Sequence, residues 1–178
     1  MLLSKHKIAI FVTLLSTFIA VLLWGVHSQR IGPQTQSTVT NFPEREIVTL
    51  LEQQAFTSKA LFSEPYQIVN VWASWCGYCR AEHGFLHQIA KEGVPIIGLN
   101  YRDRRSAALN YLGQLGNPYK VVMYDPDGRL AIDLGVIGTP ETYLVNRAGN
   151  IVYKFSGALD QRAWQRHFAN YFALKEEG

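Results

Sequence analysis

The 178 residues contain two cysteines, and they stand three positions apart in Trp75-Cys76-Gly77-Tyr78-Cys79. Thiols at this spacing on the first turn of a helix meet the short Cα–Cα requirement of a disulfide. The preceding run, 67–72 (QIVNVW), reads as a buried strand, and a helical pattern follows to about Lys91. The pair therefore stands where a strand hands over to a helix N-terminus. Free N–H groups and positive potential at such an end stabilise a thiolate. Cys76, nearer the end, is the expected nucleophile. Cys79, one turn in and more buried, is expected to resolve the mixed disulfide.

Three other uses of the pair are weaker. A c-type haem attachment needs histidine after the second cysteine, where this chain has Arg80. A zinc site needs two more ligands. His83 and His87 lie one and two turns along the same helix, and they read as packing or solvated residues. An inert structural disulfide closing so short a loop is a poor staple. The expectation is a redox-active Cys76–Cys79 disulfide with no further cofactor and no metal.

Other elements must position this pair. Residues 94–100 read as a second buried strand and 104–115 as an amphipathic helix ended by Gly116-Asn117-Pro118. A short strand at 120–124 leads into the turn 125–128, and 129–134 reads as a short helix. Two strands, 142–146 and 151–155, surround 147–150 and predict an antiparallel hairpin. A last amphipathic helix is expected over 160–174. No element is assigned between 42 and 66. Together these describe an α/β sandwich with a mixed sheet.

The N-terminus is different in kind. Residues 8–26 (IAIFVTLLSTFIAVLLWGV) carry no charge. As a helix they would extend roughly 28 Å, close to the hydrocarbon thickness of a bilayer. Lys5 and Lys7 precede them, which favours a cytoplasmic tail at 1–7 and export of the rest. The A-x-A-like cleavage site of a signal peptide is missing after Leu23. The reading is one transmembrane anchor at 8–26, a flexible polar stalk at 27–41 and a folded domain at 42–178. The chain has 17 basic and 14 acidic side chains. The excess comes from Lys5, Lys7 and Arg30, so the folded domain is formally neutral and nothing points to nucleic acid.

The segment VWASWCGYCRAEH at 71–83 resembles the active site of thioredoxin-like proteins. Together with GLNYRD at 98–103, LGNPY at 115–119, the block 133–157 (DLGVIGTPETYLVNRAGNIVYKFSG) and the N-terminal anchor, it is similar to the membrane-anchored thioredoxins of cytochrome c maturation, the CcmG/DsbE family. The resemblance covers about residues 42–172. It implies a thioredoxin-like fold, a central mixed sheet flanked by helices. It also implies a periplasmic thiol:disulfide oxidoreductase on a bacterial inner membrane that reduces the CxxCH cysteines of apocytochrome c. Its partners would be apocytochrome c or its haem-ligation machinery, and a membrane electron donor of the DsbD or CcdA type.

Several residues carry over. Cys76 and Cys79 match the redox pair. Pro140 matches the cis-proline of the fold, and the bond would aim the Thr139 backbone at Cys76 and a client. Glu82 and Glu141 match acidic residues near the family's active site. Glu82, three residues after Cys79, would accept a proton from that thiol. Asn70 stands where many thioredoxins have a buried aspartate, which leaves that task to Glu82. Trp75 would cover one edge of the pair, and Tyr101 and Tyr78 would line a client groove. Trp72 reads equally as core. The family commonly has proline between its cysteines, where this chain has Gly77-Tyr78, so the redox poise departs from the pattern. Two other functions compete with the reductant: a general or oxidising thiol-disulfide enzyme, and a non-catalytic chaperone or haem-handling module.

Overall fold

Residues 5–29 and 41–173 are described in this computed structural model, and they fall into two units that divide between Gln36 and Ser37. The first unit holds one helix, α1 (Lys5–Gln29), of 25 residues. It runs past both ends of the charge-free stretch, so the first three residues of the expected stalk are helical. The rest of the stalk, 30–40, lies outside the described residues. The hydroxyls of Thr13, Ser16 and Thr17 donate to carbonyls three or four residues earlier, so these polar groups are satisfied within the helix. Among the described residues no helix is long and apolar enough to cross a membrane. The anchor therefore rests on the sequence.

The second unit is built on β3 (Tyr66–Trp72), whose last six residues are buried. A nearly continuous apolar run is what a strand needs when helices or loops cover both its faces. Parallel β4 (Ile96–Tyr101) flanks it on one side and antiparallel β6 (Glu141–Asn146) on the other. Beyond β4 lies parallel β5 (Val121–Asp125), then antiparallel β1 (Glu46–Thr49) and β2 (Ala55–Thr57). Beyond β6 lies antiparallel β7 (Ile151–Ser156), with an irregular register at Leu144/Val145. The order is β2-β1-β5-β4-β3-β6-β7.

Strand alternation sorts two cores. One face of the sheet presents Ile68, Trp72, Ile96, Val122 and Leu144 to α2 (Gly77–Lys91), α3 (Arg105–Leu115) and α5 (Gln161–His167). The other face presents Val69, Val71, Leu99, Met123 and Tyr143 to α4 (Arg129–Asp133) and to Phe42 and Phe62. Trp72 stacks on Tyr119 in the first core, with ring centroids 5.6 Å apart. Gly98 allows this: a Cβ there would lie 2.9 Å from Trp72 Nε1 and 3.0 Å from the Tyr119 ring.

The strand and helix expectations for 67–157 hold to within a few residues. One expectation fails, and one stretch without an assigned element is structured. Residues 42–66 contain β1, β2 and a 3-10 turn at Ser58–Leu61. These strands are four and three residues long, too short to show a period. The final helix, expected over 160–174, ends at His167 and gives way to a 3-10 turn at Ala169–Tyr171. Asp160 caps its start by accepting from Ala163 N–H at 2.7 Å. Phe168 then leaves helical geometry, at φ −126°, while its ring stacks on Trp164 in the core. Phe168 stays in the core across this break, packed on Trp164 and edge-on to Tyr153.

Candidate active site

Cys76 and Cys79 are joined as a disulfide with a Cα–Cα distance of 5.3 Å. Cys76 is the N-cap of α2: its backbone is extended, and its sulfur accepts from Cys79 N–H at 3.0 Å. The helix end thus spends one of its unpaired donors on the sulfur expected to be the nucleophile. Both cysteines are buried, Cys79 to 2% exposure. Trp75 (59% exposed) and Tyr78 (74%) flank Cys76 in the chain as exposed aromatics. The Thr139–Pro140 bond is cis, and Ile137 in the same loop is 91% exposed.

Glu82 is one turn into α2 from Cys79 and only 2% exposed. Its two oxygens have separate donors. Asn70 Nδ2 donates to one at 2.8 Å, and Leu159 N–H donates to the other at 2.7 Å. Burial pushes the carboxyl up from 4.5 to about 7, and the two hydrogen bonds oppose the shift. Asn70 is the centre of a buried polar row. It accepts from the Tyr119 hydroxyl at 3.0 Å and donates to Thr142 Oγ1 at 3.3 Å. Gly98 and Thr142 are its cross-strand partners on either side. Burial holds the Tyr119 phenol well above its usual range, so it is a donor here. Asn70 is not an acid, and its amide holds the buried acid that is present.

Glu141 is placed differently. Asn70 pairs with Thr142 on the face covered by α2, so Glu141, one residue earlier, points to the opposite face. It is fully buried and accepts from the Tyr143 hydroxyl (2.6 Å), Ile137 N–H (3.2 Å) and Ser156 Oγ (3.3 Å). Lys154 Nζ lies 3.0 Å away and also donates to Gly135 O at 2.8 Å. Glu141 thereby ties the 135–140 loop to β7. The two glutamates flank the sheet rather than share one site. Tyr101 also belongs to that opposite face, packed on its core under the Arg102 guanidinium. Trp72 is core.

His83 is buried, with Nε2 3.0 Å from Gly116 O, and His87 Nε2 lies 3.0 Å from Leu115 O. Both rings serve the end of α3. Burial lowers the His83 pKa, which favours its neutral form. Among the described residues no group of three His, Cys, Asp or Glu is placed to hold a metal ion. Sequence reasoning missed Tyr119, Thr142, Ser74 and Asp103. A polar residue inside an apolar strand marks Asn70, but no spacing rule reaches from it to Tyr119 or from Ser74 to Asp103.

The Redoxin family profile matches residues 35–173. The thiol:disulfide interchange protein DsbE of Vibrio cholerae is 43% identical over 127 residues, 71% of this chain and 69% of that protein. The DsbE of Yersinia pestis is 50% identical over 111 residues, 62% of this chain. The match spans 59% of the Yersinia protein and 60% of the DsbE of Tatumella citrea, about three fifths of their lengths. Among solved structures, a thio-disulfide isomerase from Thermus thermophilus superposes with a TM-score of 0.61 at 27% identity, covering 76% of this chain and 96% of that one. The thioredoxin domain of a thiol-disulfide oxidoreductase from Bacteroides vulgatus gives 0.64 at 18% identity, over 78% and 99%, and shares the fold. The chain belongs to the Redoxin family and, within it, to the CcmG/DsbE group. Its fold is thioredoxin-like.

Glu82 sets a pH dependence of stability. The folded protein holds the Glu82 proton more tightly than the unfolded chain does. Between 4.5 and about 7 the native state therefore binds more protons, and stability falls as pH rises. The full shift corresponds to an upper bound of roughly 3 kcal/mol. Glu82→Gln removes this titration. Urea midpoints of the oxidised protein at about pH 5 and about pH 8 are expected to differ less in Glu82→Gln than in the parent. An equal difference in both proteins rules the assignment out.

Proposed function

Proceeding from that membership, we propose that this chain is a thiol:disulfide oxidoreductase of the bacterial periplasm that reduces client disulfides, the CxxCH pair of apocytochrome c foremost. The observation that carries the reading is the disulfide at the start of α2, with the Cys76 sulfur accepting from Cys79 N–H. In the reduced protein the same N–H group stabilises the Cys76 thiolate. That thiolate attacks one sulfur of the client disulfide. A mixed disulfide forms, and the client's other sulfur leaves as a thiolate. Cys79 then loses its proton and attacks the Cys76 sulfur, releasing the second client thiol. The products are the reduced client and the Cys76–Cys79 disulfide, a two-electron exchange.

Glu82 is the acceptor for the Cys79 proton. A carboxyl titrating at about 7 is matched to that transfer near neutral pH. Asn70 and Leu159 N–H hold it in place from either side. Trp75, Tyr78 and Ile137 are exposed and offer apolar surface to a client peptide, and the loop carrying Thr139 and Pro140 presents backbone to the same peptide. Glu141 supports that loop from behind. Regeneration requires a membrane thiol-disulfide donor of the DsbD or CcdA type.

The anchor belongs to the same proposal. Residues 8–26 carry no charge and Lys5 and Lys7 precede them, so the sequence alone supports a helix that crosses the bilayer here. The chain is held in the inner membrane by this helix, with the catalytic domain in the periplasm. Extraction of membranes with alkaline carbonate is expected to leave the protein in the pellet. Release into the supernatant removes the anchor from the proposal.

The reduction potential of the Cys76–Cys79 pair, measured by equilibration with a glutathione buffer, tests the direction of electron flow. A value near or below about −200 mV fits a reductant, whereas one near about −120 mV makes the protein a disulfide former. Gly77-Tyr78 between the cysteines makes this measurement decisive. Cys79→Ser is expected to trap a mixed disulfide with a CxxCH peptide, and Cys76→Ser to form none. Capture by Cys79 in the Cys76→Ser protein would reverse the two roles.

A further inference from the structure

Asp103 is a buried acid that the chemistry above leaves unused. It stands in the turn from β4 to α3, directly before the N-cap residue Arg104. Four donors converge on its carboxylate. Oδ2 accepts from Ser74 N–H at 2.6 Å and from Asn100 Nδ2 at 3.1 Å. Oδ1 accepts from Ser74 Oγ and from Arg104 N–H, both at 2.8 Å. Its backbone carbonyl accepts from the Tyr124 hydroxyl at 3.1 Å, which fixes the turn to β5. The neighbouring carbonyl of Arg102 accepts from Trp75 Nε1 at 3.0 Å, with Arg102 at φ 45°.

Ala73, Ser74 and Trp75 are the three residues between the end of β3 and Cys76; Ser74 and Trp75 carry the polar side chains among them. Among the described residues their side chains make no hydrogen bond other than those to Asp103 and Arg102. The course of the chain into the cap is thus set from outside, by a turn 29 residues away in sequence. We infer that Asp103 is a positioning residue of the disulfide centre: it clamps Ser74 so that Cys76 caps α2 and Trp75 stays tied to the Arg102 carbonyl. This inference rests on the thiol:disulfide reading given above.

The donor pattern demands a carboxylate. An asparagine at 103 would turn its NH2 group toward either Ser74 N–H or Arg104 N–H, and neither can accept. Either Ser74 N–H or Arg104 N–H then loses its acceptor, the hold of the turn on Ser74 loosens, and Cys79 N–H is less well aimed at the Cys76 sulfur. The thiolate of the reduced protein loses stabilisation. A carboxylate acting through its charge alone has the opposite effect, because its removal favours a nearby thiolate. The other charged or titratable groups on the surrounding elements include Tyr78, Arg80, Glu82 and His83 on α2, Tyr101 on β4, Arg102, Arg104 and Arg105 beside Asp103, Tyr124 and Asp125 on β5, and Glu141 on β6. All are retained in the variants below, so the sign of the change separates the two roles.

The test is alkylation of Cys76 by iodoacetamide across pH, followed by peptide mass spectrometry on the reduced full-length protein in detergent. Asp103→Asn is expected to raise the midpoint of the pH profile and to slow alkylation at neutral pH roughly 3- to 10-fold. Ser74→Ala keeps its backbone N–H and loses only the hydroxyl bond, so it is expected to shift the midpoint the same way by less. An unchanged or lowered midpoint in a folded Asp103→Asn protein overturns the inference. If Asp103→Asn does not fold, Ser74→Ala and Asn100→Ala decide. A raised midpoint in either supports the clamp, and a raised midpoint in neither overturns it. Failure of the functional reading shows separately, as parent protein that cannot exchange with a small disulfide although its Cys76 alkylates normally.

Discussion

The hydrogen bond from Cys79 N–H to the Cys76 sulfur is the constraint around which this domain is arranged. It exists only if a strand ends, a short segment turns, and a helix begins with Cys76 in extended geometry at its cap. Each of these needs outside support. β3 is fixed by pairing on both sides. The 73–75 segment has no strand partner and is held by side-chain and carbonyl contacts from the β4–α3 turn. α2 is fixed by Leu86 and Ile89 in the core and by His83 and His87 at the end of α3. The redox pair is thus a property of several elements meeting.

Beneath the pair, the protein accepts a cost. Asn70, Glu82, Thr142 and the Tyr119 hydroxyl are removed from water in a region otherwise filled by Trp72, Tyr119 and Leu86. Burying polar groups is unfavourable unless they are paired. Here the pairing is nearly complete, with Asn70 bonded to three neighbours and Glu82 to two. What remains unpaid is the charge of Glu82, for no cation stands among its partners. Its raised pKa records this. The same imbalance that weakens the fold near neutral pH raises the proton affinity of the carboxyl, the property on which its proposed role depends.

The two buried glutamates show how neighbours decide the role of one residue type. Glu141 is as buried as Glu82, but Lys154 and three further donors surround it. Its charge is compensated, and its work is to hold the loop that carries Pro140. Glu82 has two neutral donors and no ion pair among the described residues. One carboxylate is matched by a cation and the other is not, although both were drawn from a single pattern of acidic residues near the cysteines.

Much of this was determined by local sequence. The cysteine spacing, the apolar run before it and the helical pattern after it fix a sulfur pair at a helix start, because strand and helix periods are properties of neighbouring residues. The turn at 125–128, the hairpin at 141–156 and the polar Asn70 inside an apolar run were legible for the same reason. The charge-free run at 8–26 is likewise a local property. Tertiary structure alone decided what joins residues far apart. It placed Tyr119 on Asn70, Leu159 N–H on Glu82 and Asp103 on Ser74, and it sent Glu141 to the other face of the sheet. It also ended the last helix at His167, short of the helical pattern. These outcomes depend on strand order and register, which bring together groups 29 to 77 residues apart. Hydrogen bonds across such separations leave no periodic mark in the chain.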